Sequence, residues 1–242
     1  MISERQSHIL KFALDEYLRH NNATTSQLLF EEGNLALSSA TLRYELARLD
    51  TMGYLFQSHT SGGRYPTNKA LQWFLDEFVF DALNPDYYRV ALEREFMAAH
   101  VDQRLFYHFA NFAAAMCDAF CGVYVDEVGY QAGLSDLFSR LEVDSSAAAQ
   151  DIIRDLEGID TRLRRCAKRI FDGVTTQIFI GEESPITEHE DLAVLVMNIH
   201  GRNLSNRKKG FEGVAVLVGS KRMPYKRNIS FLEASKHFFN SL

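Results

Sequence analysis

Two arginines, a tyrosine and a threonine are set among small residues between Ser38 and Arg48, a mixture suited to surface contact rather than to bond breaking. The stretch reads Ser38-Ser39-Ala40-Thr41-Leu42-Arg43-Tyr44-Glu45-Leu46-Ala47-Arg48-Leu49. Leu42, Leu46 and Leu49 recur at i, i+4 and i+7, which places them on one face of a helix. Ala40, Tyr44 and Ala47 then point the other way, flanked by Ser39, Thr41, Arg43 and Arg48. The alanines let the backbone approach a surface closely, and the polar side chains offer donors for base edges and phosphates. Further on, Arg64 stands beside Gly62 and Gly63, suited to a loop tip that reaches a phosphate or a narrow minor groove. A helix and hairpin used only for protein contacts would carry the same pattern.

Other candidate chemistry is weaker. Glu182, Glu183, Glu188, His189, Glu190 and Asp191 cluster in sequence, but the pair His189-Glu190 lacks a second histidine at zinc-protease spacing. The group reads as a polar loop. His100 and His108, eight apart, read as exposed helix histidines. Of three cysteines, Cys117 and Cys121 are expected to share a helix face as small apolar groups, and Cys166 completes no metal-binding spacing. No phosphate-binding glycine loop, nucleophile elbow or triad order occurs. The expectation is a protein that is not an enzyme and takes no cofactor or metal. A basic stretch remains, Arg202, Arg207, Lys208, Lys209, Lys221, Arg222, Lys226 and Arg227, with only Glu212 nearby. It reads as a solvated hairpin, or as a face for phosphate or an acidic partner.

Local signals say which elements position these residues. Ser38 reads as the N-cap of the leucine-striped helix, and Gly53 as its C-terminal stop. Tyr54-Leu55-Phe56, a turn at Ser61-Gly62-Gly63 and a return at Arg64-Tyr65 follow; helix, strand, glycine turn and strand make the pattern of a winged helix. Upstream, Ser3 and Gln6 have capping-box spacing and open a helix with Ile9, Leu10, Ala13, Leu14, Tyr17 and Leu18 as its stripe, ended by Asn21-Asn22. A short helix from about Thr25 to Glu31 adds Leu28 and Leu29. Thr67 can cap a further helix to about Phe80, carrying Leu71, Trp73, Phe74 and Phe78. Pro85 marks the best boundary in the chain. Beyond it come helices to about Cys121, a strand from Phe120 to Val128 and a helical stretch from Asp144 to Cys166. In that stretch Ile152, Ile153, Leu156, Ile159 and Leu163 are apolar, and Asp155, Glu157, Arg162, Arg164 and Arg165 form a solvated face. Strands at Val174–Ile180, Leu192–Ile199 and Val214–Val218 lead to a last amphipathic helix with Ile229, Leu232, Ala234, Phe238 and Phe239.

Composition sets outer bounds. The sequence has 242 residues, of which 46% are apolar, enough for one large core or two modest ones. It has no run of eighteen apolar residues and no basic-then-apolar leader, so a cytoplasmic protein without a membrane partner is expected. The net charge of −6 runs against a partner held by bulk electrostatics. The first seventy-odd residues are near neutral, with Glu31, Glu32 and Asp50 offsetting Lys11, Arg43, Arg48 and Arg64. Any nucleic-acid binding must therefore rest on a local motif, and dimerisation would double the contacts.

The local motif has a counterpart. Ser38-Ser39-Ala40-Thr41-Leu42-Arg43-Tyr44 and His59-Thr60-Ser61-Gly62-Gly63-Arg64-Tyr65-Pro66-Thr67 resemble two signatures of the heat-inducible transcription repressor family, HrcA. Weaker matches follow in order at Gly133-Leu134-Ser135-Asp136-Leu137-Phe138, at Ile180-Gly181-Glu182-Glu183 and at Gly219 to Tyr225. Tyr44 stands where the family has asparagine, and a glycine replaces alanine at the wing tip. The turn Asn22-Ala23-Thr24-Thr25-Ser26 also departs from the family's glycine-rich form. The resemblance implies an α+β chain in which a winged helix-turn-helix with its exit helix (1–83) is followed by a helical linker or dimerising region (84–121). A GAF-like mixed α/β effector domain (122–242) completes it, shortened in its middle relative to family members. It further implies a homodimer on double-stranded DNA with an inverted-repeat operator, repressing chaperone genes and released on heat stress, with a GroEL-type chaperonin as a further partner. The DNA-binding set carried over is Ser39, Ala40, Thr41, Arg43, Tyr44, Arg48, His59, Thr60, Ser61 and Arg64. Two other readings stay open: a relative that keeps the scaffold as a protein-interaction or chaperone-sensing module, and a regulator whose GAF-like domain binds a small molecule.

Overall fold

The computed structural model describes residues 2–57, 62–96, 103–143, 145–167, 176–202 and 210–242. The chain divides into two compact units, Met1–Ala82 and Leu83–Leu242. The strand expected from Val174 is described only from Thr176 onward, and His100, Arg207, Lys208 and Lys209 lie outside the described residues.

The first unit is built from helices α1 (Glu4–His20), α2 (Ser26–Glu32) and α3 (Ser39–Thr51), then an antiparallel hairpin of β1 (Leu55–Gln57) and β2 (Arg64–Pro66), then α4 (Asn68–Phe74). Each helix starts where a side chain can satisfy a free amide. Ser3 and Gln6 form a reciprocal capping box, and Thr25, Ser38 and Thr67 accept from the amides of Leu28, Thr41 and Ala70. Asn21, at φ 55°, ends α1 in the left-handed region that asparagine tolerates. Ile9, Leu10, Ala13, Leu14, Leu29, Leu42, Leu46 and Leu49 meet in one core, while Leu18 and Leu28 are only half-buried. The helix from Thr67 departs from expectation. After Phe74 it widens into a π turn over Leu75–Val79 and tightens into a 3-10 turn over Phe80–Ala82. Leu71, Leu75 and Val79 are buried, and Trp73, Phe74 and Phe78 are half-buried, with the Phe78 ring edge-on to Trp73 and tilted against Phe74.

In the second unit a five-stranded antiparallel sheet runs in the order β4-β3-β7-β6-β5. Its strands are β3 (Phe120–Val125), β4 (Val128–Ala132), β5 (Gln177–Ile180), β6 (Leu192–Arg202) and β7 (Gly210–Ser220). Residues 120–128 are thus a tight hairpin rather than one strand. Asp126 and Glu127 both have positive φ, the two-residue turn whose twist matches its flanking strands. Helices α7 (Leu134–Phe138), α8 (Ser146–Glu157) and α9 (Ile159–Ala167) cover one face, where Ile152, Leu156, Ile159 and Leu163 meet Val194, Val196, Val216 and Val218. The single helix expected from Asp144 to Cys166 is broken at Gly158, and Ile153 is exposed. Helices α5 (Pro85–Glu95), α6 (Gln103–Cys117) and α10 (Tyr225–Ser241) pack together on the other side. There the Phe106 ring lies against Tyr130 and edge-on to Phe211, and Phe109 stacks on Phe231 and meets Phe239 edge-on. Covered on both faces, β6 and β7 are nearly continuous apolar runs, as strands inside a three-layer unit must be.

Candidate nucleic-acid interface

Helix α3 has two faces of opposite character. Leu42, Leu46 and Leu49 are fully buried, and Ser39, Ala40, Arg43, Tyr44, Ala47 and Arg48 are exposed, with Thr41 half-buried beside them. The helix is held sharply at both ends. Ser38 Oγ accepts from the Thr41 amide at 3.2 Å and lies 2.9 Å from Thr41 Oγ1. At the other end Gly53, at φ 75°, donates to Asp50 O at 2.8 Å, and Tyr54 donates to Leu49 O at 2.9 Å. These two bonds form a Schellman motif, which needs a left-handed residue at the glycine position. The Arg48 guanidinium lies 5.9 Å from the Tyr44 ring centroid, within cation–π range. Among the described residues neither Arg43 nor Arg48 has a carboxylate partner, so both cations are available to an anionic surface.

The hairpin follows α3 directly. Gln57 Nε2 donates to Gly62 O at 2.7 Å, and Phe56 and Tyr65 pack side by side with centroids 5.9 Å apart. His59, Thr60 and Ser61, expected at its tip, lie outside the described residues. Arg64 begins β2, the return strand expected at Arg64-Tyr65. Its side chain is 17% exposed, and its Nε donates to Asp50 Oδ2 at 2.9 Å.

A polar contact on the inward face went unanticipated. Glu45, 6% exposed, accepts from Gln6 Nε2 of α1 at 2.9 Å and pairs with Arg5 at 3.5 Å. The available signal was an acidic residue inside the leucine stripe, one position before Leu46. Such a group must find a buried partner or leave the core.

In the second unit three cations of the basic stretch have carboxylate partners. Lys221, Arg222 and Arg227 were expected to lack neighbours other than Glu212. They pair with Asp191 at 3.2 Å, Glu142 at 2.7 Å and Asp118 at 3.0 Å. Burial raises the Asp118 carboxyl, but hydrogen bonds and charge from Arg227 and Arg140 outweigh it and hold the group below its ordinary value. Asp155 and Arg162, expected on a solvated face, form a largely buried pair at 2.8 Å. Arg162 also donates to Ile186 O at 2.5 Å and to Asp155 O. Cys117 and Cys121 do not share a helix face: the first ends α6 and the second lies in β3. Both are fully buried, and desolvation pushes both thiols up. Among the described residues no three His, Cys, Asp or Glu side chains gather closely enough to hold a metal ion.

A family model described as HrcA protein C terminal domain matches residues 82–229. Among similar proteins, the heat-inducible transcription repressor HrcA of Mesoplasma florum is 41% identical over 85 residues, 35% of this chain and 25% of that protein. Its namesake in Thermotoga neapolitana is 37% identical over 78 residues, 32% of this chain and 23% of that protein. The aligned stretch thus spans about a quarter of the length of these relatives. A crystal structure described as a hypothetical protein is 17% identical and covers 99% of this chain and 98% of its own, with a TM-score of 0.69. That likeness is one of fold.

Proposed function

From the premise that this chain belongs to the HrcA family, we propose that it is a transcription repressor whose α3 lies in the major groove of double-stranded DNA. The observation that carries the reading is the outward face of α3, where Arg43 and Arg48, without a carboxylate partner among the described residues, flank Tyr44 on a helix capped at both ends. In this reading residues 1–83 form a winged helix-turn-helix with α3 as the recognition helix. Arg43 and Thr41 meet base edges, Tyr44 and Arg48 meet the groove wall, and Ser39 and Ala40 lie close to the backbone. His59, Thr60 and Ser61 complete the proposed DNA-contact set. A homodimer would place two such helices on the halves of an inverted repeat, because a two-fold protein matches a palindromic site. Residues 122–242 act as a GAF-like effector domain, with 84–121 as the link through which dimers form. The regulated genes are chaperone genes in the cytoplasm, freed on heat stress as a GroEL-type chaperonin is drawn to other clients. Among the described residues no helix is long and apolar enough to cross a membrane.

Binding of the full chain to the family's inverted-repeat operator and to a scrambled duplex, titrated with salt, tests the reading. Tight binding to the operator alone, weakening as salt rises, is expected. Equal weak binding to both duplexes would overturn it in favour of a protein-interaction module.

A further inference from the structure

Three successive residues tie β2 to three different parts of the first unit. Gly63 runs so close to the segment entering α2 that an added Cβ would lie 2.8 Å from Ala23 Cβ and 3.0 Å from Thr24 O. Arg64 then makes both hydrogen bonds of an antiparallel bridge with Thr24, its amide donating to Thr24 O and its carbonyl accepting from the Thr24 amide, each at 2.8 Å. Its guanidinium reaches the other way, to Asp50 in the last turn of α3. Tyr65 sets its ring edge-on to Tyr17 of α1, with centroids 6.3 Å apart. The strand that carries the hairpin away from its tip is thereby bound to α1, to the entrance of α2 and to the end of α3.

Arg64 joins two of these ties in one residue. Its backbone fixes how far the hairpin stands from the α2 entrance, and its side chain fixes how the hairpin is turned relative to α3. The Arg64 side chain is only 17% exposed and its Nε is held by Asp50 at 2.9 Å, so a phosphate could meet only the Nη groups of a largely covered guanidinium. Among the described residues Arg43 and Arg48 have no carboxylate partner.

We propose that Arg64 is a positioning residue, which through Asp50 presets the angle between the hairpin and the recognition helix, and that it takes no phosphate of its own. The inference rests on the DNA-binding reading above. It predicts a signature separable from a phosphate contact. A lost phosphate contact flattens the dependence of log affinity on log salt by roughly 0.9 per site, whereas a misaligned hairpin weakens operator binding at every salt concentration.

The test uses the full chain and a duplex that the wild-type protein enriches from a random-sequence pool. Arg64→Gln and Asp50→Asn are each expected to lower affinity for that duplex by about tenfold, and the double variant to be no worse than the weaker single. All three are expected to keep the wild-type salt slope. Asp50→Asn preserves shape and a hydrogen-bond acceptor, so it remains informative if Arg64→Gln unfolds. A slope flattened by about 0.9 per protomer in Arg64→Gln, with Asp50→Asn binding as tightly as wild type or tighter, would overturn the inference and leave the DNA-binding reading standing. Failure of the wild-type chain to enrich any duplex would overturn that reading and this inference with it.

Discussion

Replacing Glu45 by alanine is expected to destabilise the first unit far more than a charge on a helix surface would suggest. Gln6 is 3% exposed, and its Oε1 already accepts from the Ser3 amide at 3.1 Å in the capping box. Its Nε2 therefore cannot turn to another partner without opening that box, and Glu45→Ala leaves it buried and unpaired. Loss of a hydrogen bond to a charged group, with the donor orphaned, costs about 1.5–3 kcal/mol. Arg5 is 53% exposed and 3.5 Å away, so its pairing adds at most about 1 kcal/mol. A total of about 2–3 kcal/mol corresponds to a melting shift on the order of 10–20 °C for a unit of this size. Glu45→Gln retains an acceptor for Gln6 and should lose only about 1 kcal/mol. Hydrogen exchange of the α1 and α3 amides in the full chain, followed against temperature, isolates this unit. Protection of Glu45→Ala within about 0.5 kcal/mol of wild type would refute the argument, since the Gln6 amide would then be reaching water.

Three further outcomes follow from the geometry. Arg43→Ala should weaken binding to the enriched operator by about 1–3 kcal/mol with much less effect on a scrambled duplex, read by titration of both; equal losses would place Arg43 on a phosphate. Arg162→Ala strips Asp155 of its buried partner and Ile186 O of its donor, for a loss of about 3 kcal/mol. Calorimetry should show the second unit melting roughly 6–12 °C lower. Asp118 is held below its ordinary pKa by Arg227 and Arg140, so its contribution to stability is complete above about pH 4 and fades as pH falls through its folded value. Denaturant midpoints measured from about pH 6 down to about pH 2 should decline less steeply in Asp118→Asn than in wild type.

What the amino-acid order determined by itself lies close along the chain. The caps at Ser3, Ser38 and Thr67, the stops at Asn21 and Gly53 and the two faces of α3 are all legible. Each is a hydrogen bond or a periodicity within a few residues, so neighbours in sequence carry the whole signal. Only the tertiary structure decided which charges face water. Arg64 and Asp50 are 14 apart in sequence, Gln6 and Glu45 are 39 apart, and Arg227 and Asp118 are 109 apart. The local pattern puts Arg227 on a solvated hairpin and is silent on the Arg64–Asp50 and Gln6–Glu45 pairs. No local rule couples residues at such separations. The same holds for the π turn after Phe74 and the break at Gly158, where packing of Leu75 and Val79, and of Ile159 and Leu163, overrode the helical register that the side chains alone would have kept.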